Sequence, residues 1–502
     1  MSTAVSSTRN STLETLEAVR AMIGADRVDM VTDNAGELVP LPPFADVSMS
    51  PPHTVLGVVR PRSAEDVQRI VALFDQSPSA SGLYVYSTGH NWGFGSRGPA
   101  VDNVVALDLG NVDQLRGIDI ESGWAIVEPG VTQATLATRL MGTSRVANLT
   151  SSSGHTSLVG NLSERGVGMR RHRVDDLLGL EVVLPDGHMV RLGWWPETGK
   201  HKALYQHGLG PNPLHLFLQS NLGIITAAVI RLMPRPPRER LVTLPFTRAD
   251  LTAVATLVRE WMVVGLVNGV PKFADATSVD HYGVAGVQQD QMVVMYVDGT
   301  AATIDTSVQL LLDEAAATGL FGDPIVVDEP EPGTVAAMMR AQYSGDPSYS
   351  EAIFENAYHA TAETFDDNGP GWMFFATVVP FAGADMIAAY ELIERIEQDT
   401  GVKFGAVFNI VDADSGDLVL NYIFDRTEEE AAKAHRGRDR AYELFAEAGY
   451  YPYRLDSGHG QLADKVSPGP EARELIARFK NWLDPHHTIA VGRYETPPAN
   501  RH

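Results

Sequence analysis

Ser87-Thr88-Gly89-His90-Asn91-Trp92-Gly93-Phe94-Gly95-Ser96-Arg97 follows the apolar run Leu83 to Tyr86 and packs three glycines into a polar loop. Glycines at this density let a backbone approach a ligand closely and aim several N–H groups at one anion. Gly93, Gly95 and Gly98 also spell G-x-G-x-x-G, the dinucleotide fingerprint. That fingerprint requires a helix to begin inside the motif, so that its N-terminus meets the pyrophosphate. Here Pro99 follows, and then the β-rich apolar stretch Val101 to Leu109. The pattern therefore predicts a strand–loop–strand phosphate cradle, and a flavin dinucleotide rather than NAD as cofactor.

Composition narrows the classes around this loop. The chain has 502 residues, enough for two domains and perhaps a third. With 39 Lys+Arg against 63 Asp+Glu, its formal charge is -24. So acidic a surface repels nucleic acid and anionic membrane, so neither is expected as a partner. No apolar run reaches the roughly 20 residues of a membrane span. The opening residues lack the apolar core of a signal peptide, and the expected location is the cytoplasm. Cysteine is absent. That removes disulfides, thiolate metal sites, a cysteine nucleophile and any cysteinyl cofactor link. No metal-ligand spacing stands out; His486-His487 is a lone adjacent pair.

Along the chain, residues 12–23 read as a short amphipathic helix. Ser63-Ala64-Glu65-Asp66 reads as the capped start of another, with Val67, Ile70, Val71 and Phe74 on one face. Strands are predicted at 83–86, 104–109 and 124–128, a helix from Thr132 to about Met141, and a hairpin over 179–193 turning at Pro185-Asp186-Gly187. The cluster Pro234-Arg235-Pro236-Pro237 is the best domain boundary. Beyond it come helices at Asp250–Val264, 384–397 and Thr427–Gly449, and strands at 292–297, 405–411 and 418–424. The last two are joined by a connection over Asp412 to Asp417. This is α+β texture with antiparallel pairing.

Five blocks, in order, carry a resemblance to a known family: Val59 to Val67, Ser87 to Gly95, Trp124 to Gly130, Ser157 to Gly168 with Gly179 to Gly187, and Gly208 to Pro234. Tyr453-Arg454 and Leu483 to Arg493 close the series. The chain resembles the vanillyl-alcohol oxidase / p-cresol methylhydroxylase flavoproteins over nearly its whole length. The resemblance implies a two-domain α+β flavoprotein. A split FAD-binding domain, 1–240 plus 456–502, would enclose an inserted antiparallel-sheet substrate (cap) domain, 241–455. It also implies that Ser87, Thr88, Gly89, His90, Asn91, Gly93, Phe94 and Gly95 hold the FAD pyrophosphate. His155, Ser157, Gly160, Asn161, Glu164, Gly168, Ile224, Ile225 and Arg493 complete the cofactor site.

Single residues separate this chain from the family's pattern. In berberine-bridge-type relatives, a histidine in this loop bonds the flavin 8α-methyl carbon. His90 is then the candidate for one covalent link, the alternative being a histidine that only hydrogen-bonds the cofactor. Trp372 stands where a cap-side linking histidine would be expected, and tryptophan has no nucleophilic nitrogen. A double link is excluded because it needs a cysteine. Tyr453 and Arg454 match the pair that holds a phenolate, where a cation and a phenol donor stabilise an oxyanion. The third member, a loop tyrosine, is Phe94 here. Asp175, ranked just ahead of Asp176, resembles the carboxylate beside flavin N5. Arg170-Arg171-His172-Arg173 replaces neutral tyrosines at the flavin's edge. Arg171 then reads either as a recognition site for an anionic or extended substrate or as a surface residue paired with a carboxylate.

The expected function is FAD-dependent removal of a hydride from an aromatic or polycyclic alcohol or phenol onto flavin N5, with reoxidation by O₂ ahead of a protein acceptor. Phe94, Trp372, Tyr453, Arg454 and Arg171 would face the substrate, and Phe94 and Trp372 point to one larger than a simple phenol. Two alternatives stand beside this: oxidative cyclisation, rearrangement or oxygenation of a specialised metabolite on the same scaffold, and a non-catalytic FAD- or ligand-binding protein. The resemblance also points to a homodimer.

Overall fold

The Ser63 hydroxyl accepts a hydrogen bond from the Asp66 N–H at 3.1 Å and starts helix Ala64–Asp75, whose face of Val67, Ile70, Val71 and Phe74 is buried. That face meets Leu16 and Val19 of the N-terminal helix Ser2–Ile23 and the strand residues Leu56, Leu83, Val105 and Leu107. The computed structural model describes residues 2–196, 203–281, 289–329, 334–466 and 469–497. The N-terminal helix begins well before residue 12, where the apolar periodicity starts. Its Ser/Thr-rich first half is reconciled with the helix locally: the Thr12 and Thr15 hydroxyls bond back to the carbonyls of Thr8 and Ser11 at 2.7 and 2.8 Å.

Strands Val55–Val59, Val104–Asp108 and Leu83–Tyr86 lie side by side and parallel, with Val28–Asp29 antiparallel at the edge. Leu83 faces Val105 and Tyr86 faces Asp108. Parallel neighbours cannot be joined by a tight hairpin. Here the crossover is residues 87–103, a run of turns without a helix. The strand–loop–strand reading is correct, and the helix that a NAD fingerprint needs is missing.

A second, antiparallel sheet runs in the order Met189–Gly193, Leu177–Val183, Ile224–Arg231, Trp124–Val127, Leu115–Asp119. Leu177–Val183 is buried along its whole length. Immediately after Pro234-Arg235-Pro236-Pro237, strand Arg238–Phe246 enters a third sheet of seven antiparallel strands. Their order is Ile325–Val327, Arg238–Phe246, Gln291–Gly299, Asn268–Asp275, Gly405–Ile410, Ser415–Phe424, Gly371–Pro380. Helices Leu251–Val263, Gly383–Thr400 and Glu428–Glu447 pack on it around Trp261, Phe273, Phe375, Phe408 and Phe445. The Thr427 hydroxyl caps the last of these on the Glu430 N–H at 3.2 Å. Among the described residues no helix is long and apolar enough to cross a membrane.

After helix Pro470–Leu483 the chain returns to the parallel sheet. Leu83 donates its N–H to the Thr488 carbonyl and accepts one from Ala490, both at 2.7 Å. A buried ion pair fixes that return. Lys480 Nζ lies 2.7 Å from Asp484 and also donates to the carbonyls of Asn221 and Ile489, while Asp484 accepts from the N–H groups of Thr488 and Ile489. Removing one partner of such a pair leaves an uncompensated buried charge, at a cost of about 3–5 kcal/mol. Lys480→Met is expected to lower stability by about that much in urea unfolding monitored by tryptophan fluorescence. A loss within the error of the measurement would show that the tail is held by packing alone.

Candidate functional site

The loop that follows Tyr86 is tied down on three sides. Internally, the Asn91 carbonyl accepts from the N–H groups of Phe94 and Ser96 at 3.1 and 3.0 Å. Toward the seven-stranded sheet, Phe374 donates its N–H to the Gly93 carbonyl at 3.1 Å; toward the C-terminal part, Ser457 donates to the Phe94 carbonyl at 3.0 Å. These contacts explain two of the glycines. Gly93 (φ +75°) and Gly95 (φ +99°) have left-handed backbones, and a Cβ on them would lie 2.1 Å from the Phe374 ring and 2.0 Å from Ser457 Oγ. Neither glycine is part of the wall of the adjoining cleft. The room expected at these two positions for a phosphate is filled by protein, because the sheet and the C-terminal segment close on the loop there.

The cleft itself runs along Ser87, Thr88, Gly89, His90, Asn91 and Phe94, with Ser157, Gly160, Asn161, Glu164, Ile224 and Ile225 opposite. Arg454, Arg493 and Trp372 complete the wall. The Ser157 hydroxyl caps helix Leu158–Ser163 on the Gly160 N–H at 2.9 Å and donates to the Pro129 carbonyl at 2.6 Å. That capping turn brings Asn161 and Glu164 to the cleft. Sequence reading did not single out Pro129, Thr150, Met338, Phe354, Tyr358 or Ile489, which also line it. These sit in turns or helices without a recognisable motif, and only the closed fold brings them together.

Charge in the cleft is organised by Glu164. Arg493 Nη2 lies 2.7 Å from it, the Tyr494 hydroxyl donates at 2.6 Å, and Arg454 Nε lies at 3.9 Å. Burial alone would raise this carboxyl, but Arg493 and Arg454 outweigh it and hold Glu164 below the usual carboxylate range. Arg454 also hydrogen-bonds Asn91 Oδ1 and sits 4.6 Å over the Phe94 ring. Phe94 stacks in turn on Phe374 at 5.6 Å. Trp372 is buried against Phe354, Tyr358, Phe365 and Phe374.

Burial, with His155 and Arg97 adding positive charge nearby, pushes the His90 imidazole down to about 4. It is therefore neutral at physiological pH. Its buried Nδ1, and Asn161 Oδ1 across the cleft, make no hydrogen bond within the protein. Buried polar atoms are normally satisfied, so both are available to a bound group. His155 lies outside the cleft wall, its ring 6.3 Å from His90 and its Nδ1 3.6 Å from Glu363. Gly168 also lies outside the cleft and hydrogen-bonds the Arg171 carbonyl.

A second cavity adjoins the first and shares Gln219 and Arg454 with it. Tyr453 and Asp175 line this one, together with His172 and Asp417. Asp175 is exposed, whereas Asp176 is buried and takes the Arg171 guanidinium and Asn148 Nδ2. Burial raises Asp176 despite that pairing. Arg170 is paired with Asp298 at 2.8 Å and Arg173 is fully buried. None of the three arginines lines either cavity. The dense positive run is thus matched inside the protein, and the expectation of an anion-recruiting Arg171 gives way to the paired alternative.

Sequence reading missed Asp417 and Lys272. Asp417 was taken as part of a hairpin connection, but strand Ser415–Phe424 has already resumed there and the residue is buried. Burial, with Asp412 adding to it and Lys272 opposing, pushes Asp417 up to about 7. Burial pushes Lys272 down to about 8; its Nζ donates to Asn409 Oδ1. Burial and the charge of Asp417 raise the Tyr453 hydroxyl, so it stays protonated and able to donate.

The loop carrying Tyr453 and Arg454 is anchored by Asp456, which takes the Tyr442 hydroxyl at 2.9 Å and His459 Nδ1 at 2.8 Å. His459 also reaches Asp439 at 3.1 Å.

A parallel strand–loop–strand cradle, a cleft walled by that loop, and two buried polar atoms without partners on residues of its wall fit an FAD-binding flavoprotein. Comparison with known proteins agrees. Residues 55–193 match the family model described as an FAD binding domain. The chain is 27% identical over 512 residues to the 4-cresol dehydrogenase [hydroxylating] flavoprotein subunit of Pseudomonas putida, covering 95% of this chain and 94% of that protein. It is 33% identical over 222 residues to the 1'-carboxy-chondrochloren decarboxylase of Chondromyces crocatus, covering 43% of this chain and 40% of that one. In fold it is similar to p-cresol methylhydroxylase with substrate bound, with a TM-score of 0.85 at 23% identity over 98% of both chains. The 4-ethylphenol oxidase of Gulosibacter chungangensis in its isoeugenol complex gives a TM-score of 0.80, also at 23% identity over 98% of both. The chain is an FAD-linked oxidoreductase similar, over nearly its whole length, to the p-cresol methylhydroxylase-type flavoproteins.

Two predictions follow from the anchoring contacts. Gly93→Ala is expected to lower the midpoint of urea unfolding followed by tryptophan fluorescence, and Gly93→Ala with Phe374→Ala to recover part of it; no recovery would mean that backbone strain, not the Phe374 contact, is responsible. Burial works against a charged His459, but its bonds to Asp439 and Asp456 lift it to about 8. Its contribution to stability is then complete below about pH 6.5 and lost as pH rises through about 8. Relative to His459→Asn, the stability advantage of the native chain should shrink between pH 6 and 9; a constant difference contradicts this.

Proposed function

We propose that this FAD-dependent oxidoreductase removes a hydride from a phenol or aromatic alcohol bound where the two cavities meet, with O₂ as the terminal acceptor. We also propose the domain division 1–240 with 456–502 for FAD and 241–455 for the substrate cap. The return of residues 488–490 to Leu83 supports that division. When bound, FAD supplies the hydride acceptor. Ser87 to Asn91, Ser157, Asn161, Glu164 and Arg493 would hold it, with His90 Nδ1 and Asn161 Oδ1 as unfilled partners.

The observation that carries the substrate reading is the position of Arg454, on the wall of both cavities and next to Tyr453. Its fixed cation favours the ionised form of a hydroxyl placed against it, and Tyr453, kept protonated, can donate to the same oxygen. Glu164 and Asn91 orient the guanidinium from the other side. Phe94 contributes an apolar face instead of a third donor. Buried Trp372, Phe354 and Tyr358 offer an aromatic wall for an aromatic ring and help exclude water.

His90 is proposed as the covalent attachment point, since its neutral imidazole keeps a nucleophilic lone pair. A second reading, oxidation ending in a different bond change such as decarboxylation, is favoured by the relative from Chondromyces crocatus, whose name states that activity.

Mixing the oxidised holoenzyme anaerobically with para-substituted phenols and aromatic alcohols should bleach the flavin, and admitting O₂ should restore it. Arg454→Met is expected to slow bleaching about a hundredfold, the order found on removing one oxyanion donor. A flavin that none of these compounds bleaches would reject the reading; one that O₂ fails to restore would assign reoxidation to a protein acceptor. The colour should stay with the acid-precipitated native chain and pass to the supernatant in His90→Ala. Colour released from the native chain removes the covalent link alone.

A further inference from the structure

The second cavity has a polar side that phenol recognition leaves unused. Asp417 is 1% exposed, lies on that cavity's wall, and its Oδ2 makes no hydrogen bond within the protein. The nearest cationic candidate, His172 Nε2, stands 3.5 Å away, beyond hydrogen-bond length. Behind the wall, Lys272 Nζ bonds Asn409 Oδ1, and Asn409 Nδ2 donates at 3.3 Å to the Asp417 carbonyl, so the strand pair holds the carboxyl in place. The cavity's other carboxylates reinforce the pattern: Asp175 and Asp414 are exposed on its rim, and Asp385 is joined to the Tyr450 hydroxyl at 2.9 Å. Of its three arginines, Arg454 is drawn to Glu164, Arg473 is paired with Asp464 at 2.7 Å, and Arg165 is exposed. The far side of this cavity is therefore suited to a hydrogen-bond donor or a cation, the opposite of the anionic substrate that the arginine run suggested.

We propose that Asp417 is a second substrate-binding residue, whose free Oδ2 accepts a hydrogen bond from a donor-bearing arm, amine or hydroxyl, on the phenol held at Tyr453 and Arg454. This deepens the reading of the site given above and rests on it. A buried carboxylate with one open acceptor selects for such an arm in two ways. It gains a hydrogen bond when the arm is present, charge-assisted when the carboxyl is ionised or the arm is an ammonium, and it stays unsatisfied when an alkyl arm takes its place. Asp417 thereby separates this chain's substrates from plain alkylphenols.

The test titrates the oxidised holoenzyme, under anaerobic conditions, with 4-methylphenol, 4-(hydroxymethyl)phenol and 4-(aminomethyl)phenol. It reads the prompt perturbation of the flavin spectrum, before any reduction, for the native chain, Asp417→Asn, and Asp417→Asn combined with Lys272→Met. The native chain is expected to bind at least one donor-bearing phenol about tenfold or more tighter than 4-methylphenol. Asp417→Asn should abolish the preference for an ammonium arm, while its amide oxygen preserves part of that for a hydroxyl. Affinity for 4-methylphenol is measured for each variant as the reference against which the preference is read. The double variant removes the buried Lys272 charge that Asp417→Asn alone would leave uncompensated, so it shows the same loss of preference free of a folding defect. Equal affinity of the native chain for all three phenols overturns the inference while leaving phenol binding intact. So does an equal weakening of all three in both variants. If none of the three perturbs the flavin, the phenol reading itself fails, and this inference falls with it.

Discussion

Glu164 is the point on which the rest of the site depends. It lies half-buried between Arg493 and Arg454, with the Tyr494 hydroxyl closing its shell. Residues 164, 454 and 493 come from three distant parts of the chain. A carboxylate taken out of water is tolerated only when opposite charge and hydrogen bonds surround it. Glu164 therefore requires the helix after Ser157, the loop after the seven-stranded sheet and the C-terminal tail to meet at one place. Once they meet, both guanidiniums stand at the cofactor cleft with fixed orientation.

The same economy governs the first loop. Residues 87–103 must cross between adjacent parallel strands without a helix, which leaves their backbone to be tied by its neighbours. The ties are the N–H of Phe374 and the N–H of Ser457, one from the sheet and one from the segment beyond Arg454. Cofactor cradle, substrate wall and tail are thus mechanically joined, and a change in any of the three reaches the others through hydrogen bonds of ordinary length. The charged groups divide the work. Arg454 belongs to both cavities, Glu164 and Asn91 hold it from the cofactor side, and Tyr453 and Asp417 lie on the far side. Burial does the tuning throughout: it keeps His90 neutral and Tyr453 protonated, and it lifts Asp417 toward neutrality.

Much of this was legible in advance where the controlling physics is local. Ser63, Thr132 and Thr427 cap helices because a hydroxyl before an amphipathic run satisfies a free N–H. The turn at Pro185-Asp186-Gly187 and the strand after Pro99 follow from backbone preferences of a few residues. Other features were misread because their cause is remote. Gly93 and Gly95 looked like ligand glycines and are contact glycines, since Phe374 and Ser457 are about 280 and 360 positions away in the chain. For the arginine run, substrate recognition and carboxylate pairing were both open on the sequence, and only the folded surroundings supply the partners of Arg170 and Arg171 and the burial of Arg173. Asp417 looked like a turn residue because an aspartate three positions after a turn aspartate gives no sign that the strand has already resumed.

The amino-acid sequence by itself determined the class of fold and the cofactor. These rest on periodicity, turn chemistry and ordered motifs, all of which act over short stretches of chain. Only the tertiary structure decided which polar atoms remain unsatisfied, which charges are matched, and that Tyr453 and Asp417 share a cavity with Arg454 at its junction with the cleft. Those properties depend on desolvation and on pairing between residues far apart in sequence, and they exist only once the chain has closed on itself.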